Sequence, residues 1–216
     1  MSAVASVPEP NTRLSARSNS QPADNRQVET PLISLVVPAY NEAAIVQRNL
    51  LKLCEYMTSL ENEYRWEMII VNDGSMDGTG QLVDDFALCR DNVHVVHHLN
   101  NLGVGEAFKS AFNLCHGDYI VTLDLDLSYS PDHIHSLLSK IRDTHAKVVV
   151  ASPYMKEGRV SNVPWARRVL SRYANRFLAS TAKANLNTLT SMVRAYDGPF
   201  LRSLNLRSGG MEINPE

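Results

Sequence analysis

The run Tyr119-Ile120-Val121-Thr122-Leu123-Asp124-Leu125-Asp126 decides the fold. Its first five residues, mostly apolar and β-branched, read as a short strand bounded by polar sequence. Two carboxylates, one residue apart, follow where that strand must end.

Upstream, Ile33-Ser34-Leu35-Val36-Val37 is a first buried strand, stopped by Pro38. Residues 66–71 are a second, ended by Asn72-Asp73-Gly74-Ser75, a strong turn signal. Residues 93–97 are a third. Helical stretches separate them. Asn41 stands where it would cap a helix carrying Ile45, Leu50, Leu53 and Met57 on one face. Residues 77–87 and 104–115 read as two more helices, and Pro131 suits the first turn of another. Downstream, Val148-Val149-Val150-Ala151 is a fifth strand. Strands alternating with helices predict an α/β domain, a mostly parallel sheet with helices on both faces. Ligands of such sheets bind beyond the carboxyl ends of the strands. The polar clusters fall there: Tyr40-Asn41-Glu42, Asp73, and Asp124 with Asp126.

The 216 residues suffice for one full domain, and 44% apolar with 20% charged residues is ordinary globular composition. A formal net charge of −2 suggests no nucleic-acid partner. Cys54, Cys89 and Cys115 lie far apart, which argues against a disulfide framework or a zinc site and fits a reducing compartment. With no secretory leader or membrane-spanning apolar run in view, the expected location is cytoplasmic, peripheral at a membrane surface. Residues 1–30, rich in Ser, Pro, Asn and Ala, read as a disordered arm, and 31–216 as one folded domain. Within it, residues 31–151 carry the acidic rim and 152–216 form a basic flank. Residues 152–202 hold nine Lys/Arg and two acids, a balance of +7, so the rest of a chain with net charge −2 carries −9.

Each motif has a plainer reading. A carboxylate pair past a buried strand binds a hard dication that bridges a diphosphate, yet a lone D-x-D is also a common polar turn. Its place on an acidic rim favours the metal. Asp73 can accept hydrogen bonds from a base or ribose, or bond its own backbone in a turn. Glu42 can meet a nucleotide, or serve as a first-turn helix acid. Asn101-Leu102-Gly103-Val104-Gly105 opens a helix whose free amides can approach an anion, or is a plain capped loop. His94, His97 and His98 read as core or surface histidines rather than metal ligands.

The combination says more than the parts. Val36-Val37-Pro38-Ala39-Tyr40-Asn41-Glu42, Val71-Asn72-Asp73-Gly74-Ser75-x-Asp77-Gly78-Thr79, Asn101-x-Gly103-x-Gly105-x-Ala107 and Asp124-x-Asp126 occur in this order. Order and spacing resemble the family 2 glycosyltransferases, and most of all their dolichol-phosphate mannose synthase and polyprenyl-phosphate glycosyltransferase branch. Ser152-Pro153-Tyr154, Trp165-x-Arg167-Arg168-x-x-Ser171-Arg172 and Thr190-Ser191-x-x-Arg194-Ala195-Tyr196 extend the likeness.

That resemblance implies a GT-A (Rossmann-like) fold and inverting transfer of a hexose from a nucleotide-sugar donor, of GDP-mannose or UDP-glucose type. It implies Mg2+ or Mn2+ as cofactor. Pro38, Tyr40, Glu42, Asp73, Asn101, Gly103 and Asp124 would bind the donor. Asp124, Asp126 and Ser128 would hold the metal, with Asp126 and Arg194 catalytic. Arg159, Arg167, Arg168 and Arg172 would meet acceptor phosphates. One departure is Ser128, where the family often has Gln. A hydroxyl is a poorer ligand than an amide carbonyl, so weaker metal affinity is expected.

The acceptor can be argued from chemistry. A sugar hydroxyl needs a general base to take its proton, whereas a phosphate monoester is already anionic. Family members acting on hydroxyls place a catalytic acid in the stretch corresponding to residues 183–196. Here that stretch holds Thr188, Thr190, Ser191 and Arg194 and no carboxylate. That favours a polyprenyl or dolichyl phosphate. Arg168, Arg172 and Arg176 recur on one face of a predicted amphipathic helix over residues 164–181, suited to an anionic membrane surface or to acceptor phosphates. A glycan or small-molecule hydroxyl acceptor, or a donor-binding fragment without turnover, stays open. So does a chain that continues beyond Glu216, with Glu212 a weak acceptor-side candidate. A nicotinamide oxidoreductase does not fit, because Pro38-Ala39-Tyr40-Asn41-Glu42 has no glycine turn.

Overall fold

A computed structural model describes residues 30–151 and 191–207. All but the last residue of the arm expected over 1–30, the basic segment with Arg159, Arg167, Arg168 and Arg172, the helix expected over 164–181, and Glu212 lie outside the described residues.

Strands β1 (Leu32–Ala39), β2 (Arg65–Asp73), β3 (Val93–His98), β4 (Tyr119–Thr122), β5 (Val148–Val150) and β6 (Arg194–Asp197) form one six-stranded sheet in the order β3-β2-β1-β4-β6-β5. The β1–β2, β2–β3 and β1–β4 pairs are parallel. β6 is antiparallel to both of its neighbours, so β5 runs with the majority. The five strands read from the sequence are present. β6 is additional: its four residues carry no period that announces a strand, and its ladder partners lie far along the chain.

Helices cover both faces, as expected. On one side α1 (Val46–Ser59), α2 (Thr79–Ala87) and α4 (Asp132–Thr144) bury Leu50, Leu53, Met57, Val83, Phe86, Ile134 and Leu138 against Leu35, Val37 and Met68. On the other, α3 (Val104–Phe112) and α5 (Gly198–Ser203) bury Phe108, Ala111, Phe112 and Leu201 against Val36, Ile69 and Ile120. The alternation of these two sets along β1 is the period-2 pleat. No helix among the described residues is long and apolar enough to cross a membrane.

Two local expectations need correction. Pro38 does not stop β1: it lies inside it, paired in register with Val71. The Val36 carbonyl accepts the Leu123 N–H on the β4 side. Pro38, two residues on, turns its nitrogen the same way, beyond the end of β4, so its missing N–H costs the ladder nothing. Asn41 does not cap α1, whose N-cap is Ile45. It takes a left-handed φ of 54° and its side-chain oxygen accepts the Met76 N–H instead.

The order β3-β2-β1-β4 puts a topological switch point between β1 and β4. From β1 the chain winds outward in one direction, then returns to the other side. Connections after these two strands depart in opposite directions and leave a crevice at their carboxyl ends. Glu42 follows β1 and Asp124 follows β4, so the acidic groups flank that crevice.

Candidate active site

Three connections build the rim. The turn after β1 and the turn after β2 are joined by four hydrogen bonds. Asn41 N–H donates to Ser75 Oγ (2.9 Å), and Met76 N–H donates to Asn41 Oδ1 (2.9 Å). Glu42 N–H donates to Thr79 Oγ1 (2.8 Å), and Ala43 N–H to Asp77 Oδ2 (3.0 Å). Asp77 Oδ1 also accepts from the Thr79 hydroxyl and N–H, and the Thr79 bond is the first cause of its lowered pKa. Buried Thr79 thus links the two turns and fixes the backbone that carries Glu42.

The third connection, after β3, is held by Asp73. Its Oδ1 accepts the Leu102 N–H and its Oδ2 the Gly103 N–H, each at 2.9 Å. The carboxylate therefore does not close a turn on its own backbone, the plainer expectation. Gly74 has φ 68°, and a Cβ there would collide with the backbone of Asn100. Glycine lets the two loops touch.

Between these loops lies a cleft of about 250 Å³ lined by Pro38, Ala39, Tyr40, Glu42, Asp73, Asn101, Gly103, Val104 and Ala107. Six residues expected to bind the donor, Pro38, Tyr40, Glu42, Asp73, Asn101 and Gly103, thus come together, while Asp124 is not among the lining residues. The cleft is smaller than the roughly 300–1,000 Å³ of a drug-sized ligand site, so it suits one end of an extended ligand. A wider cleft of about 490 Å³ lies between the end of α3 and α5. Its cations are committed, Lys109 to Glu106 and Arg202 to the carbonyls of Cys115 and Gly117.

Asp124 and Asp126 leave β4 in a strained turn. Leu127 N–H donates to the Asp124 carbonyl (3.2 Å), and Leu127 holds φ 53°, a conformation costing a residue with a Cβ about 1–2 kcal/mol. Ser128 N–H and Oγ both reach Asp126 Oδ1, at 2.8 and 2.7 Å. Its hydroxyl hydrogen is thus spent on Asp126. Both bonds orient the Asp126 carboxylate, and the Ser128 oxygen keeps its lone pairs.

Electrostatics couple the acids. Burial, then the charge of Asp126, pushes the Asp124 carboxyl up to about 6. Burial, Asp126 and then Asp77 raise Glu42. Among the described residues no Lys, Arg or His forms an ion pair with these three. Three like charges on one rim fit a dication. Yet no group of three or more His, Cys, Asp or Glu among the described residues could hold one by itself. Two oxygen donors and an incomplete shell suit a Mg2+-type ion that takes its remaining ligands from water and substrate phosphates. Arg194 is buried in β6, opposite Thr122, and its Nε donates to the Ser191 carbonyl (2.8 Å).

Two histidines at the end of β3 have side-chain partners away from Asp124 and Asp126. His97 meets Asp84 and Asn72, and His98 lies between Asp73 and Ser110. Sequence reasoning missed Ser110 and the tasks of His98 and Thr79. Thr79 stands in the quoted Asp77-Gly78-Thr79 motif and was within reach of it. Nothing local marks His98.

The fold has relatives among known proteins. The model of the glycosyl transferase family 2 domain matches residues 34–204. A polyprenol monophosphomannose synthase of Mycolicibacterium smegmatis is 31% identical over 196 residues, 88% of this chain and 69% of that protein. A mannosyltransferase of Pyrobaculum calidifontis, solved with GDP-Man and Mn2+, superposes with TM-score 0.55 at 18% identity, over 81% of this chain and 47% of its own. The glucosyl-3-phosphoglycerate synthase of Mycobacterium tuberculosis, solved with Mg2+ and UDP, gives TM-score 0.57 at 22% identity, over 85% of this chain and 62% of its own. The fold is the GT-A arrangement expected, and this chain spans about half to two-thirds of the proteins it resembles.

Proposed function

The chain belongs to glycosyl transferase family 2, and on that premise we propose that it transfers a hexose from a nucleotide-sugar to a polyprenyl phosphate, with inversion at the anomeric carbon. The observation that carries the proposal is the group of acids at the switch point, in which burial and the charge of Asp126 raise both Glu42 and Asp124, beside a cleft of nucleoside size. The nucleoside end enters between the Tyr40–Glu42 turn and the Asn101–Gly103 loop. The diphosphate runs toward Asp124 and Asp126. Mg2+ or Mn2+ bound there would offset the charge gathering on the departing diphosphate.

The acceptor phosphate oxygen attacks the anomeric carbon from the face opposite the diphosphate. A new carbon–oxygen bond forms as the sugar–diphosphate bond breaks, and its electron pair leaves on the diphosphate. No proton has to be removed from this nucleophile. The lack of a carboxylate over residues 183–196 supports that choice, as does the likeness to the polyprenol monophosphomannose synthase of Mycolicibacterium smegmatis. Arg194, Arg159, Arg167, Arg168 and Arg172 are assigned to the acceptor phosphate, and the Arg168 and Arg172 face also to an anionic membrane surface.

Incubation of the full chain with radiolabelled GDP-mannose or UDP-glucose, Mn2+ and a polyprenyl phosphate tests this. The expected product is an organic-extractable label released by mild acid, as a sugar phosphate is. Label in an acid-stable glycoside, or no transfer from either donor, would contradict the lipid-phosphate acceptor.

A further inference from the structure

Asp73 is the last residue of β2 and His98 the last of β3, and the two are paired in register. His98 Nδ1 lies 2.7 Å from Asp73 Oδ1, and its Nε2 lies 2.9 Å from Ser110 Oγ on α3. Both side chains of the His98–Asp73 pair are more than nine-tenths buried. An ionised carboxylate only accepts, so Nδ1 carries the proton, and in the neutral ring Nε2 accepts from the Ser110 hydroxyl. Asp73 in turn accepts the Leu102 and Gly103 amides. A chain of bonds therefore runs from α3 through His98 and Asp73 to the loop that forms one wall of the cleft. His98 itself is not among the lining residues.

We propose that His98 is a positioning residue for the donor: it orients the Asp73 carboxylate, which holds residues 101–103 in the place a nucleoside requires. The inference rests on the assignment of this cleft to a nucleotide, but the loop can be tested without one. Without His98, the carboxylate loses its charge-assisted partner in a buried setting and can rotate, releasing two amides at once. His98→Asn returns a donor near the Nδ1 position. His98→Gln places its amide near the Nε2 position, and His98→Leu returns neither.

Amide hydrogen exchange on the nucleotide-free chain is the first measurement. Exchange at Leu102 and Gly103 rises about tenfold in His98→Leu, the equilibrium equivalent of one charge-assisted hydrogen bond, and returns toward wild type in His98→Asn. The amides of β1 stay unchanged. Should His98→Leu not fold, the contrast between His98→Asn and His98→Gln carries the same test. The second measurement is the transfer assay, in which KM for the donor rises with His98→Leu and kcat at saturation holds. Unchanged exchange at Leu102 and Gly103, or equal behaviour of the Asn and Gln variants, would overturn the proposal. A wild-type chain that binds neither UDP nor GDP with Mn2+, yet shows the exchange pattern, would leave His98 as the clamp and overturn the nucleotide assignment instead.

Discussion

Asp126 acts on Glu42 across the switch point: its charge raises the Glu42 carboxyl, second only to burial and ahead of Asp77. The two residues follow different strands, so the sheet, not the local sequence, brings them under one field. Asp126→Asn is therefore expected to lower the pKa of both Glu42 and Asp124. Carboxyl-carbon NMR titration of the metal-free chain checks this, and unmoved values would separate the three acids.

Asp124 makes a pH-dependent contribution to stability. Its folded pKa, about 6, lies above the ordinary value of 3.8. The folded state therefore binds this proton more tightly than the unfolded state. The penalty for ionising it is absent below pH 3.8, grows as pH rises toward 6, and is complete above that. At neutral pH the difference is worth about 2–3 kcal/mol. Asp124→Asn should stabilise the metal-free protein by about that amount in urea unfolding near neutral pH, with the gain vanishing near the lower end of this window.

Thr79 is fully buried, and its hydroxyl serves Glu42 N–H and Asp77 together. Thr79→Val keeps the shape and removes both bonds. It should cost about 1–3 kcal/mol in urea unfolding, the price of an orphaned donor, and weaken nucleotide binding through the displaced Glu42 turn. Stability equal to wild type would show that the two turns do not depend on each other.

Gly74 and Gly78 form a matched pair of controls. Both have positive φ, 68° and 91°, but a Cβ at Gly74 meets the Asn100 backbone while one at Gly78 meets nothing within 4 Å. Gly78→Ala should cost only the conformational term, about 1–2 kcal/mol. Gly74→Ala should cost clearly more and weaken nucleotide binding, as thermal unfolding and ligand titration would show.

The central strands were legible because buried strands need continuous apolar runs, and Leu35–Val37 or Ile69–Val71 are such runs. The rim was legible because acids beyond strand ends stand out against an apolar sheet. β6 was not, since Arg194–Asp197 gains its strand character from the ladder with Tyr119–Thr122 rather than from its own composition. Asn41 misled because a capping residue and a turn residue use the same side chain, and the choice depends on Met76, on another loop. Ser128 and Asp73 also make bonds that the sequence does not announce: one holds Asp126, the other the Leu102–Gly103 amides. Such roles depend on which donors arrive in space.

Isothermal titration of UDP and GDP into the full chain, with and without Mn2+, tests the central claim most directly. One nucleotide is expected to bind, metal and nucleotide each to tighten the other, and Asp124→Asn and Asp126→Asn to abolish this coupling while the chain stays folded. Metal-dependent binding that survives both substitutions, or no uptake of either nucleotide or ion by the wild-type chain, would contradict it.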